Sequence, residues 1–206
     1  MTSPNAKGSL AEPQSSQFPD FVFKGAKPRV ILFNCYFCYR SFAATYIKPM
    51  PNNYERMIQL VTEFFDVKSD PEQLDVDEHV IAHLHELHPA TLSEVANEDG
   101  PIVWILVIPT LHNVMERFIS RAISEKGLVD ETPVGVAYDA IYLCSASVLP
   151  EYRHKGLAKK TTIEAINAIR KDNPIKSLFY WPFSEEGRKL ATAVSAEVGL
   201  PLFERV

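Results

Sequence analysis

Cysteine is scarce in this chain. Three residues in 206, Cys35, Cys38 and Cys144, are too few for a disulfide framework. Cys35 and Cys38 make a Cys-x-x-Cys, but no second ligand pair stands at zinc-site spacing and no thioredoxin-like setting surrounds them. Partly buried thiols in the apolar run 30–39 are the expectation there. Positive charge is also in short supply. Lys and Arg number 21 against 26 Asp and Glu, a formal net charge of −5. A general nucleic-acid binder needs a basic excess for phosphate contacts, and this chain has none. No apolar run reaches the roughly 20 residues of a membrane-spanning helix, so no membrane partner is expected. The first residues carry no apolar signal core, which makes the cytoplasm the expected compartment. Neither Gly-x-x-x-x-Gly-Lys-Ser/Thr nor Gly-x-Gly-x-x-Gly occurs, which argues against a nucleotide-binding domain of either kind.

What is present fits a globular chain. The hydrophobic fraction is 46%, and the length allows one domain with a real core plus a tail. Residues 1–28, rich in Ser, Pro and Gln, read as a disordered tail, and 29–206 as a single domain that becomes orderly from about residue 50. The stretch 29–39 is either a strand or a segment outside any packed element. Met50 is the expected neighbourhood of the true start of translation. Residues 54–65 place Met57, Ile58, Val61, Phe64 and Phe65 on one helical face. Pro71 opens a second helical region, 72–87, with Val80, Ile81, Leu84 and Leu87 on one side. His79 and His83 on that helix are four apart, a spacing that can hold a metal. No third ligand is evident, and His85-Glu86-Leu87-His88 lacks the zinc-protease spacing, so no metal is expected. Residues 102–108 are continuously apolar and read as a strand buried on both faces. Residues 111–126 read as a helix ending at Gly127, and 128–139 as a loop with Pro133 and Gly135.

The most informative stretch begins at residue 141. Residues 141–148 are apolar and β-prone and stop at a proline, so they read as a strand. Residues 157–172 read as a helix. Between them lies Arg153-His154-Lys155-Gly156, a turn with one glycine and three cationic or protonatable side chains. Free N–H groups and the positive end of the dipole collect at such a helix start, which makes it an anion site that fits a diphosphate. Next come a β-prone segment at 175–183, expected parallel to the first strand, and a helix capped by Ser184. Leu190, Val194 and Val198 face inward on that helix, and Gly199 ends it. Only one short strand can follow.

The order strand, Val-x-Pro-x-Tyr, Arg-x-x-Gly-x-Ala, helix resembles the acyl-CoA-binding segment of the GNAT superfamily of N-acyltransferases, over roughly residues 139–200. The resemblance implies an α/β (α+β) fold, a mixed central sheet flanked by helices, here with an extra helix before the CoA-binding strand. It implies acetyl-CoA as acyl donor, no metal, and an amine acceptor that the sequence does not name. CoA would be held by Ser147 and Val148 on the strand, by Arg153, His154, Lys155, Gly156, Leu157, Ala158 and Lys159 at the turn, and by Arg188. The family signature Asn-x-x-Ala-x-x-x-Tyr-x-x-x-Gly-Phe, aligned on Gly199, puts Arg188 at the Asn place and Ser195 at the place of the Tyr acid. Ser195 is then the candidate acid, with Asp139 the candidate base in the absence of a strand Glu. Tyr142 and Tyr180 are further proton donors, and the backbone N–H after Ser147 is an oxyanion donor beside an expected bulge. The alternative is a non-catalytic acyl-CoA-binding sensor or scaffold, which the missing Tyr and strand Glu favour. A homodimer stays open.

Overall fold

The computed structural model describes residues 52–64 and 72–206. The expectations for the tail, the 29–39 stretch, Cys35, Cys38 and Met50 lie outside them. The described elements run α1 (Asn53–Phe64), α2 (Glu78–Leu87), β1 (Leu92–Asn97), β2 (Gly100–Thr110), α3 (His112–Ile119), α4 (Glu125–Glu131) and β3 (Ala140–Val148). A 3-10 turn (Pro150–Tyr152) then leads to α5 (Leu157–Asp172), β4 (Ser177–Tyr180), α6 (Glu185–Val198) and β5 (Leu202–Glu204). The five strands form one sheet in sequence order. β2 runs antiparallel to both its neighbours, β1 and β3, whereas β3–β4 and β4–β5 are parallel. The architecture is mixed α/β, a five-stranded mixed sheet flanked by helices.

β2 lies between β1 and β3 and is buried along nearly its whole length, as its unbroken apolar run requires. α5 packs on β1, β2 and β3, α1 on β2 and β3, α3 on β3, and α6 on α5 and β5. α6 starts and stops where the sequence indicates. The Ser184 hydroxyl accepts the Gly187 N–H at 3.0 Å, and Gly199 closes the helix in the left-handed region.

Four elements depart from the sequence reading. The helix expected from 72 begins only at Glu78, where the Asp77 carboxylate accepts the Val80 N–H at 2.8 Å. Glu72 and Leu74 instead bond to Glu125: its N–H donates to the Glu72 carbonyl at 3.0 Å, and its carboxylate accepts the Leu74 N–H at 2.7 Å. β1 has no strong alternation, and pairing with β2 makes it a strand. The helix read at 111–126 is two helices. Arg121 takes φ 63° between them, and the Ser124 hydroxyl, accepting the Gly127 N–H at 3.1 Å, starts α4. α4 passes through Gly127 and buries Leu128 and Val129, inside what reads as a loop. The apolar spacing continues across the break and hides it. Finally, β4 is shorter than 175–183. It ends at Tyr180, two residues before Pro182, which has no N–H to give a ladder.

Leu128 is 0% exposed, while Val134, further along the same expected loop, is 45% exposed. Leu128→Ala should therefore destabilise by about 2–5 kcal/mol in urea unfolding, and Val134→Ala by less than about 0.5 kcal/mol. Equal small effects would show that α4 is not part of the core.

Candidate functional site

The site begins with a defect in β3. Leu106 pairs with Ser145 and Val107 with Leu143, so Cys144 is an extra residue, a bulge. A bulge bends its strand and increases its twist. The pairing of β3 with β4 stops at Leu143–Tyr180, right beside it. From Cys144 to Val148, β3 pairs with β2 alone among the described residues. The Leu149 N–H donates to the Ile102 carbonyl on β2 at 3.1 Å. Alternation along an extended strand then turns the Val148 and Ala146 N–H groups the other way, toward the edge that β4 has left. The N–H after Ser147 is that of Val148, so it faces the open edge. The bulge expected next to it lies instead at Cys144.

The open edge leads directly into the turn. The Tyr152 N–H bonds the Leu149 carbonyl at 2.9 Å and the Arg153 N–H bonds the Pro150 carbonyl at 3.2 Å, forming one tight 3-10 turn. His154 and Gly156 both take positive φ, 59° and 73°. The first N–H of α5 with a backbone acceptor is that of Lys160, bonded to Gly156 at 3.0 Å. The N–H groups of residues 154–159 have no protein acceptor among the described residues. Successive N–H groups in such a turn, at a helix start, can act as a cradle for an anion. A Cβ at Gly156 would meet no atom within 4 Å, so the backbone angle, not space, calls for glycine.

Side chains from two other elements hold the turn. Arg56 on α1 pairs with Glu151 at 2.8 Å, and Glu151's own backbone N–H together with Arg56 hold that carboxyl below the usual carboxylate range. Asn97 on β1 donates to the Tyr152 hydroxyl at 2.9 Å, and the Lys155 ammonium sits 4.9 Å from the centre of the Tyr152 ring. Arg153 folds back so that its Nε donates to the Val148 carbonyl at 3.1 Å, putting the guanidinium at the mouth of the open edge. Lys159 on α5 pairs with Glu197 on α6 at 2.6 Å, and Leu157 and Ala158 pack against the core. Ser147 and Val148, the turn and the start of α5 are thus contiguous.

The other sequence candidates stand apart from the cradle. Arg188 on α6 is bonded to Glu204 on β5, two strands from β3, and Glu204 also accepts the Tyr180 hydroxyl at 2.5 Å. Ser195 donates to the Leu200 carbonyl at 2.7 Å and helps close α6. Asp139 accepts the His112 N–H at 2.7 Å and caps α3. Tyr142 is buried and donates to Glu125; burial, with the neighbouring Cys144 and Glu125, pushes its hydroxyl well above the usual value. The imidazole Nε2 of His83 lies 3.2 Å from the Val129 carbonyl, and that of His88 3.2 Å from Asp172. No three His, Cys, Asp or Glu residues are grouped for a metal among the described residues. No described helix is long and apolar enough to cross a membrane.

Two buried charges near the bulge escape the sequence reading. Glu125, 5% exposed, accepts from Tyr142 and from the Leu74 N–H. Arg205, 4% exposed, bonds Glu72 at 2.9 Å and the Ile123 carbonyl at 3.3 Å. Nothing local marks either one: Glu125 sits at the end of an expected helix, and Arg205 is the next-to-last residue. No model of a known protein family matches the chain, and no curated protein matches it either.

The Arg188–Glu204 pair carries a pH signature. The bond to Arg188, then that to Tyr180, holds the Glu204 carboxyl below its usual range. A depressed carboxyl stabilises above its unfolded pKa, about 4.3, and that contribution disappears as pH falls through the folded value. The urea midpoint of Arg188→Ala should therefore lie below wild type at pH 7 and approach it at pH 3. An equal gap at both values would show that the ion pair is not its source.

Proposed function

We propose that the chain is an acyl-CoA-dependent N-acyltransferase of the GNAT kind that moves an acetyl group from acetyl-CoA to an amine by direct transfer. One observation carries the reading. The edge of β3 that β4 leaves, Cys144–Val148, leads into the run of free N–H groups at 154–159, with Arg153 on the Val148 carbonyl between them. A ligand with an extended amide-bearing arm and a diphosphate at one end matches that pair of features. The arm would pair with Val148 and Ala146 as a strand does, and the diphosphate would take the N–H groups and the helix dipole. Arg153 and Lys155 would add charge, and Gly156 allows close approach. The motif resemblance at 148–158 supports the same assignment.

In this reading the site works chiefly by alignment. Holding thioester and amine together can supply on the order of 7 kcal/mol or more of the barrier reduction. A backbone N–H of the open edge that the arm leaves free would stabilise the oxyanion. Ser195 and Asp139 are engaged in capping α6 and α3, which leaves the acid and base roles to other groups or to water. That same engagement favours a second reading, an acyl-CoA-binding sensor without turnover.

Calorimetry with CoA and acetyl-CoA tests the site. Gly156→Glu should abolish binding by bringing a like charge into phosphate space, while Gly156→Ala, which shares the backbone strain, should retain most of it. Arg153→Ala should weaken CoA by roughly ten- to a hundredfold, an effect that shrinks at high salt. Wild-type affinity in folded Gly156→Glu would reject the cradle as the site. Thiol release from acetyl-CoA over a panel of amines, polyamines and peptides separates the two readings: release above background establishes the enzyme, and tight binding with no release across the panel establishes the sensor.

A further inference from the structure

We propose that an aromatic block at the point where β3 and β4 part restricts the acyl group of the donor to short chains. The inference rests on the acyl-CoA reading above. Tyr142 and Phe179 are direct partners on the last rung but one of the β3–β4 ladder, and their rings stack at 5.1 Å. Phe118 from α3 lies edge-on to Tyr142 at 4.9 Å, to Phe179 at 5.9 Å and to Trp181 at 6.3 Å. Trp181 is the first residue past β4, so its ring lies on the β4 side of the opening.

The block is held rigidly. Phe118, Tyr142 and Phe179 are all buried. The Arg205 guanidinium lies 4.3 Å from the centre of the Phe118 ring and 4.5 Å from that of Trp181, and Glu72 holds it there. Glu125 fixes the Tyr142 hydroxyl. No member can turn aside without breaking a buried polar bond or a ring contact.

The length of the edge places this block relative to the ligand. From Val148 back to Cys144 the strand covers about 13 Å at roughly 3.3 Å per residue. An arm of about that reach, anchored at the helix start and paired along the edge, would bring its thioester level with Cys144, next to Tyr142 in the chain. Carbons beyond the carbonyl then run toward the Leu143–Tyr180 rung, where the ladder closes beside the rings. Interiors packed to crystal-like density do not yield to added methylenes at small cost. An acetyl group stops short of the block; each further carbon presses on it.

The test is the affinity of the full chain for acetyl-, propionyl-, butyryl- and hexanoyl-CoA, measured by calorimetry, which needs neither turnover nor a known acceptor. Affinity should fall along the series, by about tenfold or more between acetyl- and hexanoyl-CoA. Trp181→Ala should narrow that gap to about threefold or less by opening the β4 side, and Phe118→Leu, a milder change, should narrow it in the same direction. Equal wild-type affinity for all four donors overturns the proposal, as does an undiminished gap in the folded variants. Failure of every acyl-CoA to bind overturns the acyl-CoA reading itself, and this inference with it.

Discussion

The site depends on the early end of one ladder. β3 and β4 run side by side for four residue pairs and then separate at Leu143–Tyr180. Each side contributes a reason. On β3, the extra residue at Cys144 bends the strand, since two residues must oppose one on β2. On β4, Trp181 leaves the sheet toward Phe118 and Arg205, and Pro182 could not donate to a ladder. Backbone groups left unpaired in this way are costly unless water or a ligand takes them. The open edge of β3 is therefore a polar feature in the interior of the sheet, and it leads to a helix start with a run of free N–H groups among the described residues.

Buried charge holds the neighbourhood in place. A carboxylate such as Glu125 and a guanidinium such as Arg205 are expensive to bury unless each is well bonded, and removing one partner of such a set is usually more damaging than the set is stabilising. Here the bonds reach across the chain. Glu125 on α4 bonds the backbone of Leu74 and the hydroxyl of Tyr142 on β3. Arg205, next to the last residue, bonds Glu72 and stacks on Phe118 and Trp181. The segment before α2, the start of α4, the end of the chain and the bulged strand are thereby tied to one aromatic centre. On the opposite side of the turn, Arg56 and Asn97 bind Glu151 and Tyr152, so the cradle is positioned by elements far from it in sequence.

Several elements were legible from residue order because their signals are local. The apolar run of β2, the Ser184 and Gly199 caps of α6, and the strand–turn–glycine–helix at 141–172 depend on neighbours a few residues away. The break between α3 and α4 was not legible, because Phe118, Ile119, Ala122 and Ile123 keep a helical apolar spacing through it. β1 was not legible either, since only its partner makes it a strand.

The sequence by itself determined a mixed α/β chain with a buried central strand and an N–H-rich turn opening a helix, because periodicity, caps and a positive-φ glycine are short-range physics. Only the tertiary structure decided where β3 parts from β4, that the bulge falls at Cys144, and that Ser195 and Asp139 close helices. It also decided that Glu125 and Arg205 are buried. Except for Ser195, which bonds Leu200 five residues on, each of these is a choice of long-range partner. A hydroxyl or carboxylate is equally able to cap a helix or to handle a proton, and the group that lies within 3 Å of it decides which.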